Sequence, residues 1–95
     1  MNFIWQDDQL IYQNEQHEML GNIGFKMINQ DQTYVIERTW VAEAARGQGL
    51  AEKMTIFFLD HAKAEHKNIL PLCSYTQKYF ASHPELENLL FKQTK

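Results

Sequence analysis

Apolar and polar positions follow a strand-like rhythm through the N-terminal part of the chain and then switch to a helical period. Leu10-Ile11-Tyr12-Gln13 reads as a first strand, extended backward toward Phe3-Ile4-Trp5. Residues 19–28 place Met19, Ile23, Phe25 and Met27 on one face, with Gly21 and Gly24 as markers of a bulge. Asn29-Gln30-Asp31-Gln32 supplies turn residues, and residues 32–41 return as a longer strand, β-branched and aromatic from Tyr34 onward. These three segments predict an antiparallel meander. Leu50, Met54, Phe57, Phe58 and His61 then recur at helical spacing, which predicts a principal helix over residues 49–66 with Glu52, Lys53, Asp60, Lys63 and Glu65 largely off its apolar stripe. Residues 68–72 form a short strand, and one helix between it and the preceding strand implies a parallel, right-handed crossover.

Two short helices complete the pattern. Ser74 as N-cap with Gln77 three positions on matches a capping box and opens a helix through residue 81. Ser82-His83-Pro84-Glu85 repeats that signal, although Pro84 as first helical residue makes His83 the cap instead. Leu86, Leu89, Leu90 and Phe91 would dock the last segment on the sheet.

At 95 residues, with 44% hydrophobic and 13% aromatic positions, the chain fills one modest core, so residues 1–95 are expected to form a single domain. A net charge of −3 leaves no concentrated basic face for nucleic acid, and Arg46 with Lys53 is a local patch of a size suited to a nucleotide cofactor. The single cysteine excludes an internal disulfide. No apolar run reaches membrane-span length and no basic-then-apolar leader is present, so a cytoplasmic protein is expected. His17, His61, His66 and His83 lack metal-ligand spacing: His61 and His66 are five apart, off a common helix face, and no metal is expected. Trp5 and Trp40 read as packing residues, Trp40 also near enough to residues 45–51 to shape a site beside them.

Ala45-Arg46-Gly47-Gln48-Gly49-Leu50-Ala51 stands where the extended run over residues 32–41 ends and the principal helix begins. The first turn of a helix leaves N–H groups without partners and carries partial positive charge, which suits a phosphate. Glycine permits close approach of that phosphate to the backbone, and Arg46 can add a charged fork.

Arg-x-x-Gly-x-Ala, on Arg46, Gly49 and Ala51, resembles the acyl-coenzyme A pyrophosphate loop of the GCN5-related N-acetyltransferases. The resemblance extends to Thr39-x-Val41, to Pro71-x-Cys73-Ser74-Tyr75 and to His83-Pro84-Glu85, and is similar to the small single-domain YjdJ-type subfamily over residues 9–91. It implies an α/β (α+β) fold: a mixed, mainly antiparallel sheet with a splayed parallel strand pair, one main helix and two short C-terminal helices. It also implies acetyl-CoA as cofactor, held by Thr39, Trp40, Val41, Arg46, Gly47, Gln48, Gly49, Leu50, Ala51, Cys73, Tyr75 and Tyr79. The pantetheine arm would lie along residues 37–41, with its sulfur between that strand and residues 69–72. Compared with the usual family pattern, only a brief link over residues 14–18 replaces two helices that wall the acceptor site, and the final strand pair is missing, so the site should be open on one side.

Three catalytic candidates follow. Glu37 is the only acid in the strand beside the splay and is the candidate base, although Arg38-Thr39 replaces the subfamily's frequent histidine-threonine pair. Cys73 precedes the capped helix, whose positive end lowers a thiol from about 8.5, and reads as a transient acyl acceptor or a proton donor, more acidic and more accessible than a core cysteine. Tyr79, one turn beyond Tyr75, resembles the family's general-acid position. The expected activity is acetyl transfer to an amine on a protein or small molecule; a CoA-binding module without turnover and a structural domain with only a tight glycine turn are the alternatives. A monomer or weak homodimer is expected.

Overall fold

A computed structural model of the chain describes residues 2–92. One sheet carries five strands in the order β1 (Asn2–Gln6), β2 (Gln9–Gln13), β3 (Met19–Ile28), β4 (Thr33–Val41) and β5 (Asn68–Pro71). The first four are antiparallel neighbours, and β5 runs parallel to β4. Helix α1 (Leu50–Ala64) makes the crossover, helix α2 (Ser74–Ser82) follows β5, and a 3-10 segment, Pro84–Leu89, follows α2. This is the mixed, mainly antiparallel α+β architecture that was expected. Among the described residues no helix is long and apolar enough to cross a membrane.

Phe3-Ile4-Trp5 is not a backward extension of the first strand. Asp7 and Asp8 reverse the chain between Gln6 and Gln9, with Asp7 at φ 48°. A short polar side chain tolerates that left-handed backbone. The antiparallel meander therefore has four strands, not three.

Two bulges fall beside, not on, the glycines. Tyr12 pairs with Gly21 and Gln13 with Met19, which leaves Leu20 unmatched. Gly24 pairs with Arg38 and Phe25 with Ile36, which leaves Glu37 unmatched on β4. An extra residue shifts the alternation of faces beyond it. Met19 accordingly leaves the face of Ile23, Phe25 and Met27 and stands exposed beside Ile4 and Ile11. On β4 the core-facing positions change from Tyr34 and Ile36 to Thr39 and Val41.

The core lies between the sheet residues Leu10, Tyr12, Ile23, Phe25, Tyr34 and Ile36 and the α1 residues Leu50, Met54, Phe58, Leu59 and Ala62. Phe58 is fully buried and meets Trp5, Phe25 and Tyr34 edge-on; burying such a ring contributes roughly 1.5–3 kcal/mol. Gly21 lets α1 rest on β3, because a Cβ there would come within 2.9 Å of Met54 Cε and of the Trp40 carbonyl oxygen. Trp5 packs as expected. Trp40 does not: it is 42% exposed on the face away from α1, where the bulge has put it.

The C-terminal segments start differently from the capping-box reading. Cys73, not Ser74, is the N-cap of α2, and no side-chain bond closes that cap. The Gln77 amide, instead of reaching back to Ser74, donates to the Pro71 carbonyl at 3.1 Å. His83 caps the next segment with Pro84 first, one of the two alternatives, but the segment is 3-10 rather than α. Leu86, Leu89 and Leu90 pack on the core, and Leu90 bridges to Ile69.

Candidate functional site

The bulge at Glu37 marks where the sheet opens. β4 pairs with β5 only from Thr33 to Ile36, and the N–H groups of Leu72 and Cys73 both end on the Ile36 carbonyl, at 2.9 and 3.0 Å. From there the two strands part. Before the bulge the carbonyls of Gln32 and Ile36 face β5, where they accept Asn68 and Leu72 N–H; beyond it the Ala42 N–H turns the other way, to Leu20 beside β3. Backbone groups alternate along a strand. Arg38 and Trp40 are therefore bonded toward β3, and Thr39 and Val41 direct their N–H and C=O groups into the gap. There the Val41 carbonyl accepts a hydrogen bond from Arg46 Nε at 3.1 Å.

The glycine turn closes one end of this gap. After a 3-10 turn, Glu43–Ala45, Gly47 and Gly49 adopt φ 82° and 73°, a backbone that L side chains rarely take. A Cβ at either would meet nothing within 4 Å, so the wall they form is open. The first hydrogen bond of α1 joins Lys53 N–H to the Gly49 carbonyl at 3.0 Å, and no side chain caps the helix. The N–H groups of Leu50, Ala51 and Glu52 thus lack helical acceptors. They border a cavity of about 300 Å³ lined by Val41, Arg46, Gly47, Gly49, Ala51 and Tyr75, among others. Glu52 also lines it, and its carboxylate opposes an anion there. Leu50 is buried in the core and offers the cavity its backbone, whereas Gln48 is exposed.

Cys73 sits at the opposite wall, where β5 gives way to α2. It is 9% exposed and belongs to the core, in contrast to the accessible thiol that was expected. Its Sγ–H donates to Thr39 Oγ1 at 3.5 Å, across the gap. Burial pushes the thiol pKa up, but the hydroxyls of Thr39 and Thr76 and the N–H groups of Thr76 and Tyr75 outweigh it and hold it below the ordinary value. Those N–H groups act from nearby without forming a cap hydrogen bond.

The other candidates divide between the two faces of the sheet. Tyr75 lines the cavity and feels Cys73, Glu52 and Tyr79; burial foremost raises its pKa. Tyr79 stacks on His83 at 4.0 Å, and burial, then Glu52, Glu85 and Asp60, raise its pKa as well. Glu37 lies 3.6 Å from Lys26 Nζ as a half-exposed ion pair. Lys26 pairs with Val35, which alternates with the core residues Tyr34 and Ile36, so this pair marks the face away from α1. Glu37 and Cys73 are therefore not neighbours on one face; the gap runs between them. Sequence reasoning missed Thr76, buried behind Cys73, and the Lys26 partner of Glu37. Among the described residues no group of His, Cys, Asp and Glu is arranged to hold a metal.

A family profile described as GCN5-related N-acetyl-transferase matches residues 9–89, from β2 to the C-terminal 3-10 segment. The chain belongs to this family. Solved structures agree in fold. The solution structure of a GCN5-like protein from Staphylococcus aureus superposes with a TM-score of 0.75 at 15% identity, covering 98% of this chain and 90% of that one. N-acetylglutamate synthase from Neisseria gonorrhoeae, complexed with coenzyme A and N-acetyl-glutamate, gives 0.62 at 18% identity, covering 79% of this chain and 18% of its own. Glucosamine-6-phosphate N-acetyltransferase from Arabidopsis thaliana gives 0.56 at 21% identity, covering 93% and 66%. In this member of the family the parted strands and the glycine turn belong to a sheet of five strands.

Proposed function

We propose that this protein, as a small YjdJ-type member of its family, is an acetyl-CoA-dependent N-acetyltransferase acting on an amine of a protein or small molecule. The observation that carries the reading is the juxtaposition of a strand edge left open at Thr39 and Val41 with an uncapped helix terminus at Gly49. The first fits an extended amide chain, which can pair with it as an added strand. The second fits a diphosphate. Acetyl-CoA contains both groups and supplies an activated acetyl thioester. The open wall at Gly47 and Gly49 leaves room for such a group, because no atom stands within 4 Å of where a Cβ would lie.

The chain's own residues then have separate duties. The gap edge of β4 orients the ligand, and the first-turn N–H groups with Arg46 hold its phosphates. Cys73 Sγ holds a proton on the α1 side of the gap, hydrogen-bonded to Thr39 Oγ1. A thiol with 9% exposure has little room to accept an acyl group, whereas donating a proton needs only contact; we therefore assign it the proton-donor role. Glu37, on the other face, accepts the proton of the incoming amine. Tyr75 lines the cavity, and Tyr79, itself stacked on His83, supports Tyr75 by direct ring stacking at 6.4 Å.

One observation favours a second reading, a CoA-binding module without turnover: the Glu37 carboxylate is engaged by Lys26 rather than free. Calorimetry with CoA, followed by mass spectrometry of a panel of amines and lysine peptides incubated with acetyl-CoA, separates the cases. Binding with acetylated product supports the transferase. Binding without product selects the module, and absence of binding overturns both.

A further inference from the structure

The two outer edges of the sheet are built differently. β5 spans only four residues, ends in Pro71 and is bridged from Ile69 to Leu90; short length, proline and cover all blunt an edge. β1, one residue longer, has neither proline nor a bridging segment over it among the described residues. Asn2-Phe3-Ile4-Trp5-Gln6 holds no charge, proline or glycine, and pairs with β2 at every position without a bulge.

The direction of its backbone groups follows from the neighbouring strands. The Asp8 carbonyl accepts Phe25 N–H at 2.9 Å, so along β2 Leu10 and Tyr12 bond toward β3, and Gln9, Ile11 and Gln13 toward β1. Their partners Gln6, Ile4 and Asn2 are therefore bonded inward. The N–H and C=O groups of Phe3 and Trp5 point outward, and among the described residues no other strand pairs with them.

Read from either end, β1 runs amide, aromatic, aliphatic, aromatic, amide. A second copy laid antiparallel about Ile4 sets Asn2 against Gln6, Phe3 against Trp5 and Ile4 against itself. In that register every outward backbone group meets a partner, because Phe3 and Trp5 become the hydrogen-bonded pairs and Ile4 the close, non-hydrogen-bonded pair. Phe57, stacked on Phe3 at 4.0 Å and still 37% exposed, adds apolar surface beside this edge. We propose that β1 pairs with β1 of a second copy of this chain across a two-fold axis at Ile4, joining two sheets into one. The self-complementary order of residues is what commits the edge to a second copy, since a two-fold interface must match a patch to itself. The β4–β5 gap lies at the far side of each sheet, so pairing and cofactor binding are independent.

A five-residue strand pairing is a small interface and gives weak association. Sedimentation equilibrium of the intact protein, from about 10 µM to about 1 mM, is expected to show the mass rising from 11.3 kDa toward twice that value. Ile4→Lys and Ile4→Glu each put two like-charged side chains on α-carbons about 4.5 Å apart across the axis and are expected to remain monomeric. Mixed in equal amounts, they are expected to reassociate, because opposite charges now meet there. Amide exchange in the unsubstituted protein gives a second readout: Phe3 and Trp5 should gain protection with concentration while Ile4 is protected throughout. A monomer at 1 mM, an undiminished dimer in Ile4→Lys, a mixture that stays monomeric, or concentration-independent exchange at Phe3 and Trp5 overturns the proposal.

Discussion

Gly49 offers the sharpest test of the phosphate seat, because stability and binding respond to it by different routes. At φ 73° an ordinary L residue costs roughly 1–2 kcal/mol, asparagine less and a β-branched residue at least that much. For a domain of this size each kcal/mol lowers Tm by about 4–8 °C. Gly49→Val should therefore melt roughly 5–15 °C lower, and Gly49→Asn only a few degrees lower; against a typical stability of about 5–15 kcal/mol both remain folded. Binding changes more. A side chain at Gly49 enters the open space at the cavity mouth and screens the N–H groups of Leu50, Ala51 and Glu52. With roughly 0.3–1 kcal/mol for each contact, the loss is about 1–3 kcal/mol, or roughly 5- to 150-fold in Kd. Calorimetry with CoA and with pantetheine, which lacks the pyrophosphate, reads the difference. Gly49→Asn is expected to weaken CoA within that range and leave pantetheine unchanged. A folded Gly49→Asn protein that binds CoA within about twofold of the original would refute the placement of phosphate on this turn.

Two further outcomes are expected. Thr39→Val removes the hydroxyl that favours the Cys73 thiolate, so the thiol pKa rises and alkylation at fixed neutral pH slows several-fold; an unchanged rate would mean that the 3.5 Å contact has no electrical effect. Tyr34 donates to Glu65 Oε1 at 2.6 Å, and this bond foremost, with His61 and Lys67 assisting against burial, holds the Glu65 pKa below the ordinary carboxylate value. Its contribution to stability is present above about pH 4.5 and is lost as pH falls through the lowered folded value. Burial, then Glu65, raises the Tyr34 pKa, so that contribution is complete below about pH 10 and is lost as pH climbs toward the raised folded value. Urea midpoints across pH should show Glu65→Gln losing the acid-side slope, and a slope identical to that of the unsubstituted protein would remove Glu65 from the account.

Period and punctuation made most elements legible. Met54, Phe58 and Ala62 at helical spacing fall on the buried face of α1, and Gly49 marks its start. The β1–β2 hairpin was harder to see, since Asp7-Asp8 lacks the asparagine-glycine signature and relies on the tolerance of aspartate for positive φ. The bulge at Glu37 left a trace that only a register count exposes: core-facing positions run Tyr34, Ile36 and then Thr39, Val41, a slip of one. Trp40 reads as a packing residue in the sequence, and the bulge turns it to the face away from α1. The contact between Cys73 and Thr39 spans 34 positions, so no local pattern could announce it. The cap at Cys73 was hidden by a nearer match, Ser74 with Gln77, whose amide instead satisfies a carbonyl released where β5 ends.

Glu37 adds a residue to β4 that no partner opposite requires. Without the bulge, uninterrupted alternation would turn Arg38 and Trp40 inward and expel Thr39 and Val41, burying a guanidinium under α1 at a cost no compensating contact could offset. The irregularity is thus enforced by the residues after it, whatever side chain position 37 carries. Shortening the strand by that one residue would keep every later side chain on its present face while removing the kink that parts β4 from β5. The hydrophobic interior and the opening in the sheet are therefore separately encoded: the interior in the kinds of residue, the opening in their number.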